Sequence, residues 1–248
     1  RLNMKISFII PCLNAASIIE NSLKKLTNVL KKMNIKTYEL ILIDDGSKDD
    51  TSKIIKGIRN KKIKLITNKY NLGKSSSLII GIGKSKFDRV IIWDCDLPYL
   101  ENIDKVMKNL RNNDIVYINR RSKESKLKRK KMNLYQVCRY FIGSIVCSVL
   151  DRLLLNKDTG DTQAGLKGFR KPKNFKQIKF LSKKFFFDAE LMILFFRSNY
   201  KMKSIPLKYE IYANSTIKLI ALENFVYLFE LVKIILFYKF FKIKSLKL

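Results

Sequence analysis

The feature that most constrains the fold of this chain is the regular alternation in its first 120 residues. Short apolar runs rich in β-branched residues alternate with segments whose apolar residues recur at helical spacing. We predict strands at 5–10, 39–43, 63–67, 88–93 and 114–118, separated by helices at 15–33, 49–58, 72–83 and 99–111. Pro11 is expected to end the first strand and Ser17 to cap the first helix. Because parallel strands need crossover helices, the pattern predicts an α/β fold with a mostly parallel sheet flanked by helices.

The second half of the chain completes this domain, which we place at 1–216. A basic, polar segment at 122–131 is predicted to be a loop, followed by a long helix at 132–155. The charge-free part of that helix is shorter than the ~20 residues needed to cross a bilayer, which favours a position on a core or in the membrane interface. Further elements are predicted as a turn and strand at 159–169, a helix at 185–198 and an edge strand at 204–209 that contains Pro206.

The last segment, 217–248, is strongly apolar and ends in a basic tail. On a helical wheel Glu223, Glu230 and Lys233 fall on one narrow face, which predicts an amphipathic, membrane-associated helix. Packing of this helix on the protein's own core or in a dimer is the alternative, and the oligomeric state stays open.

Charge and composition narrow the possible chemistry. The 51 Lys and Arg against 21 Asp and Glu favour anionic partners, either nucleotide phosphates or an anionic membrane surface. No basic patch with interleaved aromatic residues and no zinc-finger spacing is present, so we expect no nucleic-acid partner. The absence of histidine excludes Ser-His-Asp catalysis and His-ligated metals. Scattered cysteines and no apolar leader before the first strand lead us to expect a reducing, cytosolic environment.

Five motifs carry polar or glycine residues, and all but the last closely follow a predicted strand. They are Pro11-Cys12-Leu13-Asn14, Asp44-Asp45-Gly46-Ser47, Asn71-Leu72-Gly73-Lys74, Asp94-Cys95-Asp96 and Asp161-Thr162-Gln163-Ala164-Gly165-Leu166-Lys167-Gly168-Phe169. Because ligands bind outside the carboxyl ends of strands in α/β sheets, these motifs predict one site. Asp94 and Asp96 point the same way if the chain stays extended, and such carboxylates can hold Mg²⁺ or Mn²⁺ together with bound phosphates.

This ordered set resembles family 2 glycosyltransferases with a GT-A (Rossmann-like) fold. The string from Asp161 to Phe169, with Phe187-Asp188-x-Glu190 and Ile205-Pro206-Leu207 after it, is similar to the polyprenyl-phosphate branch, above all to dolichyl-phosphate β-glucosyltransferases. The resemblance implies inverting transfer of a hexose, glucose or mannose, from a UDP- or GDP-sugar to a polyprenyl or dolichyl phosphate. It also implies a Mg²⁺ or Mn²⁺ cofactor and a location at the cytoplasmic face of a membrane.

The resemblance also implies residue roles. Donor-nucleotide contacts would come from Pro11, Leu13, Asn14, Asp44, Asp45, Gly46, Lys74, Asp94 and Cys95. Asp96 and Asp94 would be the metal ligands, with Asp96 in direct coordination. The acceptor phosphate would meet Arg120, Arg121, Gln163, Ser215 and Lys218. Asp161 would join Asp96 as a catalytic residue, for orientation or proton removal. The alternative roles are structural: Asp161 would cap the turn before the strand at Ala164, and Asp45-Gly46-Ser47 would form a turn.

The chain departs from the family pattern in a few places. Leu13 and Ala15 stand where Tyr and Glu are usual, Ser75 stands where Gly is common, and Leu97-Pro98 follows Asp96 where some relatives have a Gln ligand. An inactive homologue is therefore an alternative. Two further functions stay open, namely a family 2 enzyme acting on a cell-surface glycan and a basic, non-catalytic module that binds nucleic acid or anionic membrane.

Overall fold

The computed structural model describes residues 4–128, 134–155, 159–210, 223–240 and 247. The strands are β1 (Ile6–Cys12), β2 (Tyr38–Asp44), β3 (Ile63–Thr67), β4 (Arg89–Trp93), β5 (Ile115–Asn119), β6 (Lys126–Lys128), β7 (Leu166–Arg170), β8 (Met202–Pro206) and β9 (Lys208–Glu210). The α-helices are α1 (Ile19–Lys32), α2 (Thr51–Gly57), α3 (Lys74–Lys84), α4 (Ile103–Asn109), α5 (Leu134–Leu150), α6 (Phe187–Arg197) and α7 (Glu223–Phe240). Short 3-10 turns lie at Leu100–Asn102 and Phe175–Gln177, and a π-helical turn, Asp151–Leu155, continues α5.

Seven strands form one mixed sheet in the order β3-β2-β1-β4-β7-β5-β8. The neighbours among β1 to β4 pair in parallel, as do β5 and β8, whereas β7 runs antiparallel to both β4 and β5. The predicted α/β fold with a mostly parallel sheet is therefore confirmed. The carboxyl ends of β1, β2, β4 and β5 meet at one edge, here called the carboxyl edge, where the start of β7 joins them.

Two local predictions at the start of the chain are wrong. β1 does not end before Pro11 but runs through it to Cys12. Its pairing with β4 ends at Ile9, so the missing N–H of Pro11 removes no ladder bond on that side. Ser17 does not cap α1, because that helix begins at Ile19 after a turn in which the carbonyl of Ala15 accepts the N–H groups of Ile18 and Ile19.

The predicted loop at 122–131 is also wrong in part. Within it, β6 pairs in parallel with β9 as a small second sheet. The Ser125 hydroxyl ties this segment to the main sheet, since it donates to the Asn119 carbonyl at 2.5 Å and accepts the N–H of Leu207 at 3.1 Å. The predicted edge position of the strand with Pro206 is confirmed, because β8 is the last strand of the main sheet.

Two apolar layers cover the two faces of the sheet. Ile6, Phe8 and Ile10 alternate to one face, where α1 and α4 pack, and Phe8 stacks on Trp93 with ring centroids 6.5 Å apart. Ile9 points to the other face, which is covered by α3, α6, the π-helical turn after α5 and the inner side of α7. The helices of the second half thus bury the face of the sheet that the first half leaves open.

The predicted single polar face of α7 is wrong. Glu230 is buried and accepts the backbone N–H groups of Lys183, Lys184 and Phe185 at 2.6 to 3.0 Å, whereas Lys233 is exposed. The helix turns its carboxylate inward because those three N–H groups need an acceptor. Residues 217–222, which we also predicted as helix, lie outside the described residues. Among the helices that the structure describes, none has the length and apolar character to cross a membrane.

Candidate active site

The carboxylate pair Asp94 and Asp96 lies directly after β4, at the carboxyl edge. The loop that follows is tightly turned, because Leu97 and Tyr99 both adopt left-handed backbone angles, with φ of 50° and 63°. The Trp93 indole N–H donates to the carbonyl of Pro98 at 2.8 Å and closes the turn over the core. Non-glycine residues in this conformation cost free energy, so the surrounding contacts hold the loop in shape.

Asp96 is the more open of the two carboxylates. Its side chain is exposed, and no hydrogen bond or ion pair joins it to another of the described residues. Partial desolvation and then the charge of Asp94 raise the pKa of Asp96 above its ordinary value, although Lys74 opposes the shift. An exposed carboxylate without a cationic partner is available to bind a cation.

Asp94 is held in place by two neighbours. Lys74, at the start of α3, brings its ammonium group to 2.6 Å from one carboxylate oxygen. The other oxygen lies against Gly165, where an added Cβ would come within 2.0 Å of it. The Asp94 N–H also donates to the Gly165 carbonyl at 3.1 Å. Residue 165 must therefore be glycine for Asp94 to keep this position.

A second carboxylate, Asp188 at the start of α6, extends this contact into the interior. It accepts the fully buried Lys167 ammonium group at 2.7 Å on one oxygen, and its other oxygen lies 3.6 Å from Lys74. Burial alone would raise the pKa of Asp188, yet the charges of Lys167 and Lys74 lower it. The result is a row of alternating charges: Lys167, Asp188, Lys74 and Asp94.

Asp161, Arg120 and Arg121 form a second cluster after β5, here called the arginine cluster. The Asp161 carboxylate is fully buried and accepts the Arg120 Nε at 2.6 Å and Nη2 at 2.8 Å, while the Arg121 Nη1 lies 3.0 Å away. Burial opposes ionisation of Asp161, but Arg120 first and then Arg121 hold its pKa below the ordinary value. The carboxylate thus orients both arginines, which remain partly exposed at 25% and 14% of their side chains.

The loop that carries Asp161 is anchored from two sides. Asp151, in the π-helical turn after α5, accepts the Thr159 hydroxyl and the Gly160 N–H. Asn119, at the end of β5, donates to the Thr159 carbonyl at 3.0 Å. Gly160 has φ of 72°, and an added Cβ would lie 2.8 Å from the Asn119 side chain. These contacts link the helix after residue 134 to the arginine cluster.

Tyr99 connects the two clusters. Burial is the largest cause of the raised pKa of its hydroxyl group, and the nearby Arg120 opposes that shift. The charges of Asp161 and Asp94 both act on the same hydroxyl. Tyr99 therefore lies between the arginine cluster and the carboxylate pair at the carboxyl edge.

The structure brings the other predicted donor residues to the same edge, with their polar groups already bonded. Asp45 is buried and accepts the side chain of Asn68 and the N–H groups of Leu72 and Gly73 at 2.8 to 3.0 Å. Asp44 accepts the Ser47 N–H at 3.0 Å and the Ser52 hydroxyl. Both carboxylates thereby fix the loops after β2 and β3 at the carboxyl edge.

The loop after β1 meets the loop after β2. The side-chain Oδ1 of Asn14 accepts the Lys48 N–H at 2.9 Å, and the backbone N–H of Asn14 donates to the Ser47 hydroxyl at 2.9 Å. Gly46 has φ of 73°, and an added Cβ would come within 2.6 Å of the Tyr70 backbone. Leu13 is exposed beside this junction.

Two thiols lie behind the loop junction. Cys12, two residues before Asn14, is buried, and its thiol neighbours that of Cys95, which lies between the paired aspartates. Hydrogen bonding to Cys95 and burial raise the pKa of the Cys12 thiol. Pro11 lies in β1 itself. The predicted donor residues at the ends of β1, β2 and β4 thus come together at the carboxyl edge.

Of the predicted phosphate ligands, Gln163 joins the arginine cluster. Its N–H donates to Asp161 at 3.2 Å, and its side-chain Nε2 is a buried donor without a hydrogen-bond partner among the described residues. Ser215 and Lys218 lie outside the described residues. A buried donor beside two arginines is an arrangement that fits a phosphate oxygen.

A divalent cation at the carboxylate pair would need further ligands. Within the described residues no group of three or more Asp, Glu, Cys or His side chains could hold a metal ion. Asp94 and Asp96 supply hard oxygen ligands of the kind that Mg²⁺ and Mn²⁺ prefer, but too few for a complete shell. The remaining ligands would have to come from water and from the ligand's own phosphates.

Sequence reasoning assigned no site role to Gly165, Lys167 and Asp188. Gly165 and Lys167 lie in the string after Asp161; Gly165 directly precedes β7, and Lys167 in β7 pairs with Ile92 near the end of β4. A lysine between Leu166 and Phe169 was the available signal, since a fully buried lysine needs a carboxylate partner. The identity of that partner is not local to the strand, because Asp188 comes from α6.

Curated proteins of similar sequence include glycosyltransferases. A curated dolichyl-phosphate β-glucosyltransferase from Dictyostelium discoideum is 28% identical over 77% of this chain and 62% of its own length. An uncharacterised glycosyltransferase from Synechocystis is 35% identical over 50% of this chain and 40% of its own length. The chain therefore covers less than two thirds of either relative.

A solved structure and a family model extend the comparison. Mycobacterium tuberculosis glucosyl-3-phosphoglycerate synthase in complex with UDP has a similar fold, with a TM-score of 0.66 at 15% identity, over 97% of this chain and 82% of that one. The fold is accordingly that of the GT-A glycosyltransferases. The model described as Glycosyl transferase family 2 matches residues 7–201, most of the chain. The chain belongs to glycosyl transferase family 2.

Proposed function

We propose that this protein transfers a hexose from a nucleotide sugar to a polyprenyl or dolichyl phosphate, at the cytoplasmic face of a membrane. The observation that carries the proposal is the pair of clusters on either side of Tyr99. The exposed Asp96 beside Asp94 suits a cation and a diphosphate, and two oriented arginines with an unpartnered amide donor suit a second phosphate. Relatives named dolichyl-phosphate β-glucosyltransferase and undecaprenyl-phosphate 4-deoxy-4-formamido-L-arabinose transferase support a lipid-phosphate acceptor.

The donor would bind at the carboxylate pair. A similar fold has been crystallised with Mn²⁺, UDP and phosphoglyceric acid, which supports a divalent cation and a uridine nucleotide here. Asp96, with Asp94, would hold the cation, whose chemistry is to stabilise the departing diphosphate as a Lewis acid. Lys74 lies close enough to Asp94 to add a positive charge beside that diphosphate.

The acceptor phosphate would bind at the arginine cluster. A phosphate monoester has a second pKa near ~6, so its oxygen is anionic at neutral pH and needs no strong base. Asp161 is buried, bound by both arginines and low in pKa, which suits orientation of Arg120 and Arg121 better than proton removal. Direct attack of a phosphate oxygen on the anomeric carbon would invert its configuration, and correct placement of the two reactants would supply most of the rate.

An exposed apolar surface supports a membrane location. On α7 the outward side chains are mostly large and apolar, and two lysines accompany them: Val226, Leu228, Phe229, Val232, Lys233, Leu236, Lys239 and Phe240. The α5 segment and its π-helical turn add Phe141, Ile142, Ile145 and Leu153. Because the π-helical turn contacts α7, the two sets belong to neighbouring elements. Apolar faces edged with lysines suit the interface of an anionic membrane, as does the net charge of +30.

The direct test is transfer of radiolabelled sugar into organic-extractable lipid. Purified protein is incubated with UDP-glucose or GDP-mannose, Mg²⁺ or Mn²⁺ and polyprenyl phosphate in anionic vesicles. We expect labelled lipid with one donor, and none with the matched polyprenol that lacks phosphate or after chelation of the metal. No lipid product with any common donor would refute the proposal. Transfer to a water-soluble glycan, or tight RNA binding without nucleotide-sugar affinity, would instead support the alternative functions.

Vesicle flotation tests the location separately. Replacement of Leu228, Phe229 and Leu236 by serine removes three exposed apolar side chains, and we expect weaker partition onto anionic vesicles with little change in stability. The matched control replaces Tyr70, which is exposed in the loop before α3. Equal flotation of both variants and the wild type would contradict a membrane role for α7.

A further inference from the structure

We propose that Lys74 is an exchangeable counterion, which neutralises Asp94 until metal and donor bind and then moves to the diphosphate. Asp188 and Lys167 are positioning residues that keep Lys74 within reach during this exchange. The inference rests on the proposed function, because it concerns how the same site accepts a metal and a nucleoside diphosphate. It adds two positioning residues and a linkage between the two ligands.

Both oxygens of the Asp94 carboxylate are in contact with protein groups. Lys74 occupies one of its oxygens at 2.6 Å, and the backbone of Gly165 closes the space beside the other. A cation that binds Asp94 must therefore displace Lys74. Asp96, by contrast, has no such partner among the described residues.

The two ion pairs of Asp188 differ in strength. Lys167 is fully buried, bonds to Asp188 at 2.7 Å and also donates to the Ala164 carbonyl at 2.5 Å. Lys74 is 3.6 Å from Asp188, and 27% of its side chain is exposed. Lys167 therefore fixes Asp188, whereas Lys74 is held loosely enough to move.

Hydrogen bonds hold the backbone at the start of α3 to the backbone at the start of α6. The Ser75 and Ser76 N–H groups donate to the carbonyls of Lys184 and Lys183 at 3.1 and 3.0 Å, and the Phe187 N–H donates to the Ser75 hydroxyl at 3.1 Å. The start of α3 and the start of α6 thus move as one unit. Any displacement of the Lys74 ammonium group must come from its side-chain torsions, with Asp188 as the fixed point.

The charges make the exchange favourable only when both ligands arrive. Asp94 and Asp188 pair with the two ammonium groups of Lys74 and Lys167, and Asp96 adds a third carboxylate close to Lys74. A divalent cation alone would repel Lys74 and leave it with Asp188 as its one counterion. A diphosphate gives Lys74 a new anionic partner at the moment when the cation takes Asp94. Metal and nucleotide should consequently bind with positive coupling.

Binding experiments on the full chain test this linkage without relying on turnover. Mn²⁺ affinity is measured by electron paramagnetic resonance with and without saturating UDP or GDP, and nucleotide affinity by calorimetry. In the wild type we expect weak Mn²⁺ binding that the matching nucleotide strengthens about 10-fold or more. In Lys74→Met we expect Mn²⁺ alone to bind about 10-fold more tightly and the nucleotide about 10-fold more weakly, which removes most of the coupling.

The positioning residue gives a different pattern. In Asp188→Asn the ammonium group of Lys74 keeps only Asp94, so nucleotide affinity falls and Mn²⁺ alone does not bind more tightly. Asp188→Glu retains the charge and should recover part of the nucleotide affinity, even if either variant is less stable. Lys64→Met and Asp114→Asn break ion pairs with Glu39 and Arg170 away from the site and should match the wild type.

The outcomes separate the two proposals. A wild type that binds neither UDP nor GDP contradicts the proposed function itself. A wild type that binds nucleotide and Mn²⁺, with Lys74→Met showing unchanged or weaker Mn²⁺ binding, overturns the counterion exchange alone. Asp188→Asn with wild-type nucleotide affinity overturns the positioning role.

Discussion

Asp161 and Asp96 are carboxylates at the same edge of one sheet, yet their surroundings are opposite. Asp161 is fully buried and bound by two arginines, and its pKa is lowered. Asp96 is exposed and has no ion-pair partner among the described residues, and its pKa is raised. The charge of Asp161 is thus compensated within the protein, whereas the charge of Asp96 is free for a ligand. Stability and ligand binding should therefore respond to them in opposite ways.

The largest expected effect is on stability, from Asp161→Ala. Removal of one partner from a buried ion pair leaves uncompensated charge, and the free energy of unfolding should fall by about 3–5 kcal/mol. Urea unfolding followed by circular dichroism measures this loss. Asp96→Ala is the matched control, with an expected change within about 0.5 kcal/mol. Equal losses in the two variants would remove the distinction between the aspartates.

The next effect is on turnover, from Asp96→Asn. The substitution keeps size and removes the charge that would hold the cation, so we expect kcat/KM to fall about 10²- to 10³-fold while the melting temperature stays the same. Asp104→Asn, on α4, removes a carboxylate that pairs with Lys108 on the same helix and should retain activity. Full activity of Asp96→Asn would show that the exposed carboxylate is not used.

A smaller effect is expected from Gly165→Ala. This substitution acts on Asp94 rather than on Asp161 or Asp96. The new Cβ would meet the Asp94 carboxylate at 2.0 Å, and a short side chain can escape only by rotating away from Lys74. We expect kcat/KM to fall about 10- to 100-fold with a folded protein. Gly83→Ala, in α3, meets nothing within 4 Å and should instead stabilise by about 0.5–1 kcal/mol. Unchanged kinetics in Gly165→Ala would mean that the position of Asp94 is not critical.

The sequence predicted those parts that depend on local pattern. The strands before Asp45, Asp94 and Arg120 were found because apolar runs and helical spacing are properties of neighbouring residues. The placement of the motifs at one edge followed from the rule that ligands bind at the carboxyl ends of parallel strands. The family was predicted from the ordered set of motifs, because no single motif would have been specific enough.

The parts that the sequence did not predict depend on contacts between distant residues. Glu230 was expected on an outer polar face, but the N–H groups of residues 183–185, far away in the chain, draw it inward. Lys167 is buried because Asp188, 21 residues later, meets it. In the same way, the pattern around Asp161 allowed either orientation or proton removal, and only the positions of Arg120 and Arg121 favour orientation.

The smallest expected effect is a difference in pH dependence, and it contrasts the two aspartates by sign. Asp161 has a folded pKa below its ordinary value of 3.8, so its contribution to stability is present above that pH and is lost as the pH falls through the folded pKa. The advantage of the wild type over Asp161→Asn should therefore shrink on acidification. Asp96 has a folded pKa above 3.8, so its ionisation weakens the folded state as the pH rises through the window above 3.8.

Relative to Asp96→Asn, the wild type should accordingly gain stability as the pH falls through that window, the reverse of the Asp161 case. Urea unfolding of the wild type and both variants between pH 3 and 7, without added metal, measures the two differences directly. Asp104→Asn is carried through the same series to subtract the general effect of one lost carboxylate. Two differences that move in the same direction would mean that Asp161 and Asp96 share one electrostatic environment, against the contrast seen in their contacts.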